Sequence, residues 1–198
     1  IISQASLGDP TGPFGVAIVG GGAAGLATAI FAARAGASSR VLLLDGAGSL
    51  GAKILVSGGS RCNVTNARVE AADFWRAGSP FVRQVLRAFP VPETVAFFAE
   101  IGVALEEEPL GKLFPKTNKA RTVLDALMSE ARRLNVDIRT SCRVHGIARQ
   151  GAHWTLESSA GPIQAGRVVL ATGGLSLPKT GSDGEGYALA RAHGHTIV

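Results

Sequence analysis

Two short, wholly apolar runs, Val16 to Val19 and Val41 to Leu44, frame a stretch of strong helix formers from Ala23 to Ala35 that stops at Gly36. An apolar run of four residues with no polar alternation suits a strand covered on both faces, as in a parallel sheet. Strand, tight turn, helix and strand in that order make a βαβ unit of about 30 residues.

Beyond it, Gly46 to Asn66 is irregular and rich in Gly and Ser, which predicts a long functional loop with at most a short helix near Lys53 to Val56. Helices are predicted at Pro80 to Phe89 and Glu93 to Glu100, then a short strand at Val103 to Glu106 and a loop through Pro109 and Pro115. From Thr122 to Leu134, the residues Val123, Leu124, Leu127, Ala131 and Leu134 recur at helical spacing. The helix they predict feeds a third parallel strand, Val136 to Arg139. Short antiparallel strands follow from Arg143 to Ala165, with turns at Gln150-Gly151 and near Ala160 to Pro162, forming a β-meander. A buried strand, Arg167 to Ala171, then ends in Thr172-Gly173-Gly174, and a helix from Glu185 to His193 leads to a terminal strand, Thr196 to Val198. No internal repeat or low-complexity tract interrupts this pattern.

The first turn carries chemistry. Gly20, Gly22 and Gly25 satisfy GxGxxG, with Ala23 and Ala24 between the last two. The first glycine permits the tight turn, the second lets a pyrophosphate approach the backbone, and the third lets helix and strand pack closely. Free amides and the positive dipole end at the helix start favour the phosphates. Asp45, 20 residues after Gly25 at the end of the second strand, is placed to accept hydrogen bonds from both ribose hydroxyls, and Gly46 follows it. A carboxylate there disfavours the 2′-phosphate of NADP; FAD and NAD both fit.

The second loop, Gly51 to Asn66, combines glycines with the cations Lys53 and Arg61 and the neutral polar groups Ser57, Ser60, Asn63, Thr65 and Asn66, a set able to wrap a charged ligand. This segment resembles the signature loop of the HI0933-like flavoproteins, the BaiN or YhiN-type NAD(P)/FAD-dependent oxidoreductases. Gly111 to Pro115, Leu170 to Gly174 and Pro178 to Tyr187 resemble the same family, so the likeness runs from about Gly15 to Val198. It implies an α/β Rossmann-like FAD-binding domain of the glutathione-reductase type, with a parallel sheet and the β-meander as its crossover connection. It also implies that Gly20, Gly22, Gly25 and Asp45 hold the ADP part of FAD. Lys53, Ser57, Gly58, Arg61, Cys62 and Asn63 would run along the pyrophosphate toward the flavin, with Thr172, Gly173 and Gly174 beside the cofactor. Asp45 stands where relatives often carry Glu, and Ser60 where they often carry Gly. Family members are about twice as long, which implies a C-terminal segment or complementary chain beyond this one. The implied reaction is hydride transfer from NAD(P)H, as electron donor, through FAD to a small organic acceptor. An NAD-only dehydrogenase domain and a non-catalytic or split flavoprotein fragment stand as alternatives.

Composition narrows the rest. With 46% hydrophobic and 18% charged residues over 198 positions, the chain can bury one substantial core. It is organised as a leader over 1–14 and a domain over 15–198, incomplete at its C-terminus, with a helical excursion at 67–120. The net charge of +5 is scattered, which points away from nucleic acid, although the fold of tRNA-modifying flavoproteins leaves an RNA role to be tested by salt-dependent binding. Cys62 and Cys142 have neither disulfide nor metal spacing, and nothing reads as a signal peptide or membrane span, so a cytoplasmic location is expected. Cys62 reads as a small buried residue, the four histidines as structural, and Glu106 to Glu108 as a solvated edge. No catalytic residue is assigned.

Overall fold

The computed structural model describes residues 12–36, 40–74 and 80–197. In chain order it contains β1 (Phe14–Val19), α1 (Ala23–Arg34), β2 (Val41–Leu44), α2 (Ala52–Ser60), β3 (Thr65–Asn66), α3 (Pro80–Ala88), α4 (Val91–Glu100), β4 (Leu105–Glu108), β5 (Lys112–Pro115), α5 (Ala120–Arg133), β6 (Asp137–Arg139), β7 (Val144–Gln150), β8 (His153–Ser158), β9 (Gly161–Leu170) and α6 (Glu185–Ala192). These fall into two compact units, Ile1–Lys53 with Leu127–Val198, and Ile54–Ala126.

The first unit is built on a six-stranded sheet of order β6-β2-β1-β9-β8-β7. β6, β2, β1 and the second half of β9 run parallel, while β7, β8 and the first half of β9 form the antiparallel meander. All four residues of β2 are buried, as its uniform apolar run requires. Leu26, Ala29 and Ile30 give α1 its buried stripe. Ala17, Val19, Leu42 and Leu44 of the parallel strands share a core with Leu156, Ile163 and Ala165 of the meander. Glu130, buried on α5, accepts from Arg133 at 2.6 Å and from Arg34 at 2.6 Å. The Arg133 hydrogen bonds hold its carboxyl down at about 2 against the opposing effect of burial, with Arg34 adding to them.

The second unit holds a three-stranded antiparallel sheet, β3-β5-β4, with α3 and α4. The stretch 67–120 is therefore more than helical.

Several expectations need correction. The loop expected through Pro115 is β5, the central strand of its sheet. Pro115 is tolerated because β3 pairs only with Lys112 and Leu113, so the missing N–H faces no partner strand. The strand expected from Val103 starts instead at Leu105, because the buried Val103 closes the end of α4 through its N–H to the Phe98 carbonyl. The last meander strand and the strand expected from Arg167 are one, β9, with Ala165 paired to both Trp154 and Phe14. Its parallel half is partly exposed rather than buried, Leu170 to 36%. Residues 196 and 197 form no strand, and Val198 lies outside the described residues. Phe14, expected in the leader, begins β1 and is buried; residues 1–11 of that leader also lie outside the described set.

Candidate cofactor site

The carboxyl ends of β1, β2 and β9 meet on one edge of the first unit's sheet, where open α/β folds place their ligands. The three fingerprint glycines of the first turn have different reasons to be there. Gly20 sits at φ +108°, and a Cβ on it would come within 2.7 Å of the Ala171 carbonyl carbon and 2.9 Å of Thr172 Cα. A Cβ on Gly25 would overlap the Gly20 carbonyl oxygen. Gly22 is the opposite case: a Cβ there would meet nothing within 4 Å. Neither close packing nor its φ of −81° requires glycine at position 22, so the open space beside it is free for a ligand.

The amides around that space are available. The first hydrogen bond of α1 is Leu26 N–H to the Gly22 carbonyl at 2.9 Å, and among the described residues no acceptor faces the amides of Ala23 and Ala24, which are exposed. Twelve residues of helix put a positive dipole end at the same point.

Asp45 is half-buried beside this turn. Its Oδ2 accepts the Gly21 N–H at 2.7 Å and its Oδ1 accepts the Ala47 N–H at 2.8 Å. One lone pair on each oxygen stays open to further donors. Gly46 is exposed and carries the Arg143 stem, whose Cβ and Cγ lie 3.3 Å from where a Gly46 Cβ would be. On the other flank, the Gly51 N–H donates to the Gly21 carbonyl at 3.0 Å, bringing Lys53 close. The Lys53 ammonium donates to Ser176 Oγ at 3.1 Å and lies 3.5 Å from a Cβ position on Gly173.

Beyond β9, Ala171 N–H donates to the Val19 carbonyl, and Thr172 packs where a Cβ on Gly186 of α6 would sit. Gly173 and Gly174 leave equally little room, against Ser182 and the Tyr187 hydroxyl. Gly20, Gly22, Ala23, Ala24, Gly25, Asp45, Gly46, Lys53, Thr172, Gly173 and Gly174 thus belong to one unit and line one edge.

The other expected residues, Ser57, Gly58, Arg61, Cys62 and Asn63, lie in the second unit. α2 breaks its helical conformation at Ser57, Gly58 and Gly59. Ser57 donates to the Ile54 carbonyl, and a Cβ on Gly58 would strike Asn63 N at 2.6 Å and Phe114 at 2.8 Å. The Arg61 guanidinium pairs with Glu108 at 2.5 Å, reaches Asn118 at 3.3 Å and stacks 4.1 Å from the Phe114 ring centroid. Glu108 is thereby tied into the fold, whereas Glu106 and Glu107 are exposed as expected. The Asn63 amide nitrogen faces the Thr65 and Leu113 carbonyls at 2.7 and 3.2 Å. Cys62 is buried, and burial pushes its thiol up, offset in part by the Ser57 hydrogen bond.

Arg143 is the functional candidate that sequence reasoning missed. It pairs with both Asp183 and Glu185, the residues that start α6. Only its position after β6 hinted at this, since its partners lie 40 and 42 residues away. Among the described residues no group of His, Cys, Asp and Glu could hold a metal ion, and no helix is long and apolar enough to cross a membrane.

A parallel sheet whose first strand turns through a glycine fingerprint into a helix defines a Rossmann domain, and the family model for the HI0933-like protein Rossmann domain matches residues 14–198. The chain belongs to that family. It is 38% identical over 182 residues to the 3-dehydro-bile acid delta(4,6)-reductase of Clostridium scindens, covering 92% of this chain and 44% of that protein. Over 185 residues it is 34% identical to the ribosomal RNA dihydrouridine synthase of Escherichia coli, covering 93% of this chain and 46% of that protein. The chain therefore spans about half the length of these curated relatives. Glycine oxidase from Geobacillus kaustophilus shares the fold, with a TM-score of 0.53 at 18% identity over 94% of this chain and 60% of that one.

Proposed function

We propose that this chain holds the ADP part of FAD on the carboxyl edge of its sheet and serves a flavin-dependent reductase. The observation that supports it best is the vacancy for a side chain at Gly22, bounded by unpaired helix amides and by Asp45. A diphosphate fits there because backbone can approach it and the helix end is positive. In this reading Ala23 and Ala24 donate their amides to the diphosphate, and the open lone pairs of Asp45 take the ribose hydroxyls. Lys53 stands over the Gly173 turn as the cation on the flavin side, and the loop from Thr172 to Gly174 forms the wall beside the ring. Ser57, Gly58, Arg61, Cys62 and Asn63 have their contacts within their own unit and shape the second loop.

When bound, FAD would supply hydride-transfer chemistry between NAD(P)H and an organic acceptor. The reading extends to an acceptor with an activated double bond, because the names of both curated relatives describe reductive chemistry. Those relatives act on a bile acid and on ribosomal RNA while sharing this domain, so acceptor choice is assigned to sequence outside it. Purified chain titrated with FAD should give flavin absorption that co-elutes with protein, together with quenched flavin fluorescence. A colourless protein that takes up NAD instead would replace this reading with an NAD-only dehydrogenase domain.

A further inference from the structure

The contacts around the carboxyl edge close into a ring. Gly21 bonds to Asp45; Cys142 N–H donates to the Asp45 carbonyl and Ser141 N–H to the Ala47 carbonyl, both at 2.8 Å; and the Arg143 stem rests on Gly46. The Arg143 guanidinium then reaches Asp183 and Glu185. Asp183 Oδ1 in turn accepts the Glu185 N–H, and one residue further Gly186 packs on Thr172. Thr172 and Ala171 return to Gly20. The other links in this ring are backbone hydrogen bonds, amide-to-carboxylate hydrogen bonds and close packing, and only the Arg143 link is an ion pair between side chains.

We propose that Arg143 is a positioning residue for the nucleotide end of the crevice, latching the start of α6 to the turn after β2 and screening two carboxylates from the bound diphosphate. This rests on the cofactor reading above. Arg143 is half exposed, so a lone pair there would contribute little, but one guanidinium shared by two carboxylates two residues apart is a small network. Without it, Asp183 and Glu185 become uncompensated negative charges on the edge that must accept a dianion. The pairing also holds the Asp183 carboxyl below its ordinary range, chiefly through the Arg143 hydrogen bond.

The test is fluorescence titration of the chain with FAD, and with ADP as competitor. Arg143→Gln should weaken both by about tenfold, and Arg143→Lys should recover most of the loss. The effect should shrink as salt rises from about 0.05 to 0.5 M, and adding Asp183→Asn and Glu185→Gln to Arg143→Gln should restore part of the affinity. A purely structural role would move neither of these last two readouts. Arg149→Gln on the β7–β8 hairpin controls for net charge and should bind like wild type. If Arg143→Gln unfolds in a thermal scan, Asp183→Asn carries the test, with a smaller loss expected. Unchanged affinity in Arg143→Gln, or an equal loss in Arg149→Gln, overturns the latch while leaving the cofactor reading intact. A wild-type chain that binds neither FAD nor ADP overturns the cofactor reading and the latch together.

Discussion

The turn at Gly20 to Gly25 and the loop at Ser57 to Asn63 look alike in sequence, each offering glycines and polar groups suited to a phosphate-bearing ligand. The structure separates them. In the first, Gly20 and Gly25 are required by close packing against backbone while Gly22 leaves open space beside free amides. In the second, Gly58 is packed against Asn63 and Phe114 while Gly59 has open space and a φ of +68°, the arginine is paired with Glu108, and the asparagine faces two carbonyls. Which groups of a polar, glycine-rich loop stay unpartnered after folding is something composition alone cannot report.

The sharpest way to break this contrast is at Gly25. Gly25→Val should cost more than about 3 kcal/mol, since the side chain overlaps backbone that cannot move aside; a melting temperature within a few degrees of wild type would contradict the packing. Gly22→Val should do the reverse, shifting stability by less than about 1 kcal/mol while weakening FAD by well over tenfold. Equal affinity in a titration would remove the diphosphate from this turn. In the second loop, Arg61→Met should lower the stability seen in urea unfolding by about 1 kcal/mol with FAD affinity changed less than about threefold. A larger loss of affinity would make Arg61 a direct ligand contact.

Acid unfolding separates a structural carboxylate from a cofactor-binding one. Glu130 has its pKa lowered from 4.5 to about 2, so its contribution is full above pH 4.5 and disappears as pH falls toward 2. Melting curves of Glu130→Gln should converge on wild type across that window and diverge above it. The smallest effect concerns Cys62, whose thiol is buried and pushed up by that burial, which disfavours the reactive thiolate. Native alkylation should be slow and become fast in denaturant; rapid labelling of the folded chain would argue that the loop is open.

Much of this architecture was readable in advance because its signals are local. The β1–α1–β2 unit follows from two apolar runs and a glycine fingerprint, each governed by neighbours in sequence. The meander turns were likewise marked at Gly151 and Gly161. What escaped depends on partners remote in sequence. Pro115 spoke against a strand until β3 was seen to pair no further along β5 than Leu113. The Arg143 latch joins positions 40 and 42 residues apart, and Arg61 finds Glu108 across 47. No window of the sequence contains both halves of those pairs. The apolar Val103 misled for a related reason, because its hydrophobic contact belongs to the end of a helix rather than to the next strand.

The pairing of β1 with β9 has a consequence for synthesis. Phe14 lies opposite Ala165, so β1 waits for one of its two neighbours until some 150 further residues have left the ribosome. The unit from Ile54 to Ala126 has its strand partners close by and can form meanwhile, as domains folding during translation commonly do. An arrested nascent chain ending before β9 should therefore protect the second unit from protease while leaving β1 cleavable.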